Sequence, residues 1–209
     1  MGVGSSGKTR PVPDPTDPRI VLVRHGSTPW SDSGRHTGRT DIQLTEEGEA
    51  QAERLAPALA GRPFALVLSS PLSRALETAR RAGFGDRVEQ CDDLVEWDYG
   101  EYEGLTTTQI RERMPEWTVW THPCPGGETA AQVAARADTV LARARAAGGD
   151  VLLVAHGHLL RVLVARWLWL GPADGRLFRL DPATVSELGY ERTQPALVTW
   201  NAAVASSPS

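Results

Sequence analysis

Ile20-Val21-Leu22-Val23-Arg24-His25-Gly26 is the stretch that decides the fold of this chain. Four successive apolar side chains with no polar alternation describe a strand buried on both faces, as in a parallel sheet covered by helices. The polar Arg24-His25-Gly26 that follows marks the strand's end and turn. Working outward, short β-rich runs alternate with helical patterns, the signature of an α/β domain with a mostly parallel central sheet flanked by helices. A helix is expected from about Thr45 to near Gly61, and a second strand over Phe64–Leu68. A helix should follow with Pro71 in its first turn, a position proline favours, and then a weaker strand over Val88–Leu94. Helices are predicted over Thr107–Arg113 and Glu128–Ala147. Val151–Ala155 reads as a strand, His158–Leu170 as a buried helix, and Val185–Tyr190 and Ala196–Trp200 as two final strands.

The 209 residues fit one domain, large enough to bury a core without disulfides or a structural metal. The expected domain runs over residues 19–201, with flexible tails over 1–18 and 202–209, whose Gly, Ser, Pro and Asp content cannot repay the entropy of ordering. A net charge of −4 argues against a general nucleic-acid binder. An anionic substrate must then be held by locally clustered arginines. Cys91 and Cys124 are far apart and lack metal-ligand spacing, so they read as unpaired thiols in a reducing compartment. No apolar run reaches the roughly 18 residues of a membrane span, and no apolar signal-peptide core opens the chain. A cytoplasmic protein is expected.

Gly2 to Thr9 reads G-V-G-S-S-G-K-T, a literal phosphate-loop pattern. That chemistry needs a strand before the glycines and a helix after them, so that backbone N–H groups converge on phosphate. A single methionine precedes the motif and Arg10-Pro11-Val12-Pro13 follows it, so it reads as part of the tail.

Four polar clusters fall where strands end: Arg24-His25-Gly26, Ser69-Ser70-Pro71-Leu72-Ser73-Arg74, Glu96-Trp97-Asp98-Tyr99-Gly100 and His156-Gly157-His158. In open α/β sheets, ligands bind beyond the carboxyl ends of the strands. Each cluster alone has an ordinary reading as a polar turn, a solvated arginine or an acidic surface run. Together they suit phosphoryl transfer. A phosphomonoester dianion needs forked, permanently charged donors, which arginine supplies. A neutral imidazole can attack phosphorus without a metal, and nearby arginines keep it neutral by disfavouring a second positive charge. The leaving alkoxide needs a proton, which a carboxylic acid such as Glu96 supplies, with Asp98, Glu101 and Glu103 as rivals. His156 and His158 have no third ligand at suitable spacing, so no metal site is expected.

These segments resemble the histidine phosphatase superfamily in its phosphoglycerate mutase-like branch. The resemblance is carried by Leu22–Thr28, by Gly34–Gly38 through Leu44–Gly48, by Ser69–Ala79 and by Glu96–Gly104. It continues through Pro125–Thr129 and Val154–His158, covering about residues 20 to 170 in the family's order. It implies that His25 accepts the phosphoryl group, that Arg24, Arg74 and His156 clamp its oxygens, and that Glu96 is proton donor and later base. It also implies that Thr37, Gly38 and Gly157 assist phosphate or substrate binding, and that no metal or organic cofactor is used. A homodimer is left open.

The family's mutases typically carry Glu-Arg-His-Tyr-Gly where this chain has Glu96-Trp97-Asp98-Tyr99-Gly100, and a longer basic insertion before Pro125. Loss of that charge should favour release of product and attack by water on the phosphohistidine, so a phosphatase acting on small phosphorylated metabolites is expected ahead of a mutase. A phosphate-binding module without catalysis is the third reading, disfavoured because no core histidine or arginine is missing. Trp97, Trp117 and Trp120 either cap the pocket or pack a helical subdomain, and Trp167 and Trp169 read as core or as a dimer face.

Overall fold

The computed structural model describes residues 19–204. The Gly2–Thr9 motif and the expected tail over residues 1–18 lie outside the described residues. Six strands form one sheet: β1 (Ile20–Arg24), β2 (Leu66–Ser69), β3 (Glu89–Gln90), β4 (Val151–Ala155), β5 (Thr184–Glu191) and β6 (Gln194–Ala203). Their order is β3-β2-β4-β1-β5-β6. The first four run parallel, β5 lies antiparallel to β1, and β6 returns beside β5. The mostly parallel sheet expected from the sequence is present.

The α-helices are α1 (Pro29–Asp32), α2 (Glu46–Leu59), α3 (Ser73–Ala79), α4 (Thr107–Arg111), α5 (Ala130–Arg145) and α6 (Gly157–Trp167). The pleat of β1 sorts the core into two layers, because successive side chains point to opposite faces. Val21 and Val23 pack with Leu55 and Leu59 of α2 and Ala75 and Ala79 of α3. Ile20 and Leu22 pack with Val133, Val140 and Leu141 of α5 and Leu160 and Leu163 of α6. Helices therefore cover both faces, which is why β1 and β4 read as continuous apolar runs.

Some boundaries differ from expectation. Pro71 precedes the helix: Leu72 is extended at φ −68° and ψ 136°, and α3 starts at Ser73. Leu72 has no side chain able to cap, and Asp41 does this from a distant loop, its Oδ1 accepting from Ser73 N at 2.9 Å and Ser73 Oγ at 2.7 Å. The third strand shrinks to Glu89–Gln90 because Asp92–Leu94 winds into a 3-10 turn. α6 begins at Gly157 and stops at Trp167, short of Leu170. β6 continues through Ala203, two residues beyond the expected end of the domain at 201, because Ala203 pairs with Thr184.

The register places the site. Arg24 pairs with Ala155 and Ser69 with Val154, so the residues after β1, β2 and β4 emerge side by side at the carboxyl edge. α2 is pressed against the turn after β1. Thr45 caps α2 by accepting from Gly48 N, and Thr45 N donates to Ser27 O at 2.9 Å. A Cβ on Gly48 would lie 2.1 Å from Ser27 O, and one on Gly26 would lie 2.3 Å from Gly48 O. Gly48→Ala, although it improves helix propensity, should destabilise the fold by about 1–3 kcal/mol through this overlap. At roughly 2–4 °C per kcal/mol for a chain of this size, thermal denaturation would detect it. An unchanged melting temperature would mean that α2 does not rest on the His25 turn.

Candidate active site

His25 follows β1 and is buried. Its Nδ1 lies 2.7 Å from Gly26 O. A carbonyl only accepts, so Nδ1 carries the proton and Nε2 of the neutral ring keeps its lone pair. Burial first, then the charges of Arg24 and Arg74, hold the His25 pKa well below the ordinary value of 6.5. Gly26 N donates to Thr78 Oγ1, which in turn donates to Arg74 O, tying the turn to α3.

The His156 ring centroid lies 5.1 Å from that of His25. Arg74 Nε can only donate, so His156 Nδ1 accepts its bond at 3.2 Å, and Nε2–H of the neutral ring donates to Ser70 Oγ at 2.8 Å. Burial, then Arg74, His25 and Arg24, depress the His156 pKa strongly. Arg74 is itself fully buried and donates further to the carbonyls of Thr40 at 2.9 Å, Gly38 at 2.9 Å and Thr37 at 3.3 Å. Arg24 donates through Nη1 to Leu180 O at 2.6 Å, while its buried Nε has no partner. A buried donor without an acceptor is rare and costs about 1–3 kcal/mol.

Glu96 sits at the N-terminus of α6. Its Oε1 accepts from Trp97 N at 2.9 Å and Leu159 N at 2.8 Å, and Oε2 from His158 N at 2.9 Å. A carboxylate has about four acceptor sites, so Oε2 keeps the one that remains. The loop carrying Glu96 is fixed from behind by Arg136. Its guanidinium pairs with Glu128 at 2.8 Å and donates to Asp93 O and Val95 O, each at 2.8 Å.

One pocket of about 470 Å³, part of it open to solvent, is lined by Arg24, His25, Thr37, Glu96 and Gly157 among others, whereas Arg74 and His156 do not line it and direct their donors to protein groups. Gly38 does not line it. Its N–H donates to Glu103 and its carbonyl accepts from Arg74, so it braces the 37–40 loop. Asp98 also turns away, pairing with Arg39 at 2.7 Å. Trp97 is buried and donates to Glu128 O at 2.8 Å, and Trp117 is equally buried. Neither Trp97 nor Asp98 lines the pocket, so the loss of positive charge expected beside Glu96 lies outside the lining itself.

The residues match the family model described as histidine phosphatase superfamily (branch 1) over 20–203. This chain belongs to that superfamily. It is similar to an acid phosphatase of Mycobacterium tuberculosis, 48% identical over 178 residues, which cover 83% of this chain and 87% of that one. It is also similar to the sedoheptulose 1,7-bisphosphatase of Saccharomyces cerevisiae, 35% identical with 74% of this chain and 69% of the yeast protein covered. The solved structure of the Rv3214 open reading frame from Mycobacterium tuberculosis superposes with a TM-score of 0.84 at 43% identity, covering 90% of this chain and 99% of that one. The superfamily's fold is thus the fold seen here.

Sequence reasoning placed Tyr99 and His158 in the strand-end clusters without a role, and gave none to the other lining residues Ser31, Arg35, His36, Arg161 and Leu180 of this histidine phosphatase. Tyr99 OH and His158 Nδ1 share a bond of 2.6 Å. A signal for Arg161 was present, since it follows His158 by three residues and Gly157 by four, positions that share a helix face.

Burial depresses four histidines: His25, His156 and His158 strongly, and His36 to about 4. Each takes up its proton more readily in the unfolded chain, where the pKa is near 6.5, so stability is complete above about pH 6.5 and falls as the pH drops below it. The slope is at most about 1.4 kcal/mol per pH unit for each histidine, and for His36 the loss levels off near pH 4. Chemical denaturation at pH 7.5, 6.5 and 5.5 should show this decline, shallower in His36→Gln. Equal stability at all three values would mean these rings titrate normally.

Proposed function

We propose that this superfamily member is a phosphatase that hydrolyses small phosphomonoesters through a phosphohistidine on His25, in a cytoplasmic setting that suits its two free thiols. The observation that carries the reading is the fixed tautomer of His25: Nδ1–H is held by Gly26 O, and the lone pair is left on Nε2 in a pocket shared with Arg24, whose buried Nε–H has no partner. The similarity to an acid phosphatase supports hydrolysis over transfer.

In the first step His25 Nε2 attacks phosphorus, the bond from phosphorus to the ester oxygen breaks, and a proton on Glu96 Oε2 goes to the leaving alcohol. In the second, water attacks phosphorus, Glu96 takes its proton, and the bond to His25 breaks to release inorganic phosphate. Arg24 stabilises the charge on the transferring group directly, and Arg74, whose donors are taken by protein acceptors, does so through its charge, with His156 held beside His25 by it. The unpartnered Nε–H of Arg24 is the donor an incoming phosphoryl oxygen would satisfy. Gly157 borders that position, and Thr37 lines the same pocket. Glu96 acts in both steps without moving, because three backbone N–H groups hold it.

Phosphate release from an aryl phosphate and a panel of sugar phosphates, with EDTA present, should proceed in the wild type and stop in His25→Ala. Substantial turnover by that variant would remove His25 from the mechanism. Conversion of 3- to 2-phosphoglycerate in the same preparation should be negligible, and efficient conversion with little phosphate release would make it a mutase. Glu96→Ala should lower alkyl phosphate turnover by about 10²–10⁴-fold and aryl phosphate turnover much less, since a phenolate needs less help from an acid. Equal losses would move the acid role to another residue.

A further inference from the structure

The acid of the reaction fixes where the leaving alcohol must lie. A general acid acts within about 2.6–3.2 Å of the oxygen it protonates, so the ester oxygen belongs beside Glu96 Oε2. That same Oε2 accepts from His158 N at 2.9 Å. Whatever the alcohol carries close to its ester oxygen then falls near the first turn of α6, where the His158 side chain lines the pocket. The two steps written above give this side chain no part.

Among the described residues, the one hydrogen-bond partner of the His158 ring is Tyr99, whose OH lies 2.6 Å from Nδ1. Were Nδ1 to carry the proton and donate, the phenol's own hydrogen would have no acceptor among the described residues. When the phenol donates, both groups are satisfied, and a phenol O–H is a far better donor than a neutral imidazole N–H. Burial holds the Tyr99 pKa well above its ordinary value and the His158 pKa well below, so the phenol keeps its proton and the ring gains none. His158 is therefore the Nε2–H tautomer, and that N–H has no protein acceptor among the described residues.

The ring is also held in place. Its centroid lies 5.1 Å from that of Trp120, 5.8 Å from Tyr99 and 5.9 Å from His36. Packing between these rings would be met by phenylalanine. The retained nitrogens, and the buried phenol that orients one of them, are what packing does not need. Being neutral, such a donor suits a hydroxyl or carbonyl oxygen and responds to the presence of that oxygen, not to charge.

We propose that His158 Nε2–H selects the alcohol, donating to a neutral oxygen on the carbon next to the one that bears the ester. Polyol and sugar phosphates are then preferred over plain alkyl phosphates. Tyr99 is the positioning residue for this contact. This rests on the phosphatase reading above and adds what discriminates among substrates.

Two esters that differ by one hydroxyl test it, 2-hydroxypropyl phosphate and propyl phosphate, with inorganic phosphate release followed. The hydroxyl also makes a better leaving group, so the readout is each variant's preference relative to wild type, in which that chemistry cancels. His158→Ala should reduce the preference for the hydroxylated ester by about 3–10-fold in kcat/KM, the size of one neutral hydrogen bond. His158→Gln, which keeps an amide N–H near the place of Nε2, should retain most of it. Tyr99→Phe should lower the preference in the wild-type background and leave it unaltered in His158→Ala, which mere loosening of the core would not do. In the intact wild type, NMR of 15N-labelled imidazole should show His158 as the Nε2–H tautomer. The Nδ1–H tautomer would overturn the assignment without any variant. An unchanged preference in His158→Ala would overturn it as well and leave the phosphatase reading standing. Failure of the wild type to release phosphate from any phosphomonoester would instead overturn that reading itself.

Discussion

Arg74 has no exposed surface, and its guanidinium donates to the carbonyls of Thr37, Gly38 and Thr40 and to His156 Nδ1. All four acceptors are neutral. They satisfy its hydrogen bonds without cancelling its charge, so the positive field survives where an anion must bind. A carboxylate partner would have made the burial easier and removed that field. The same residue joins three parts of the chain distant in sequence: the 37–40 loop, the start of α3 and the residue after β4. The field is local, because the whole chain carries a net charge of −4.

Burial keeps the site histidines neutral, and that field adds to it. A protonated ring at position 25 would have no lone pair on Nε2, and burial among arginines opposes such protonation. Two of the rings have partners that can act in only one sense: Gly26 O accepts from His25, and Arg74 Nε donates to His156. Their tautomers follow from the backbone and from arginine, independent of any bound substrate. Site and fold thus share groups, since the interactions that orient the imidazoles also tie the turns after the strands to one another.

Much of this was legible before the structure. β1 and β4 are buried on both faces, which leaves unbroken apolar runs in the sequence, and parallel strands must end at a common edge. Arg24, His25, Arg74, Glu96 and His156 could be grouped on that ground and by family resemblance. What was not legible depended on distant partners. The cap of α3 comes from Asp41, so Pro71 looked like the helix start. Trp97 and Asp98 stand next to Glu96 in sequence, yet one faces the core and the other pairs with Arg39. Arg35 and Arg161 were overlooked because a pocket-lining arginine and a solvated one look alike until burial and neighbours are known.

The hairpin at the end of the sheet separates the two ends of the described chain. Ile20 pairs with Leu188, toward the end of β5, whereas Ala203 pairs with Thr184 at its start. Thr184 lies next to the Ala183 amide that donates to Arg24 O, at the carboxyl edge where the pocket opens. Arg19 therefore stands at the amino edge of the sheet, away from the strand ends that carry the site, and Ala203 at the carboxyl edge that carries them. The two ends of the described residues are not equivalent: a change at Arg19 acts on the site only through the length of β1, and a change at Ala203 acts on the edge itself.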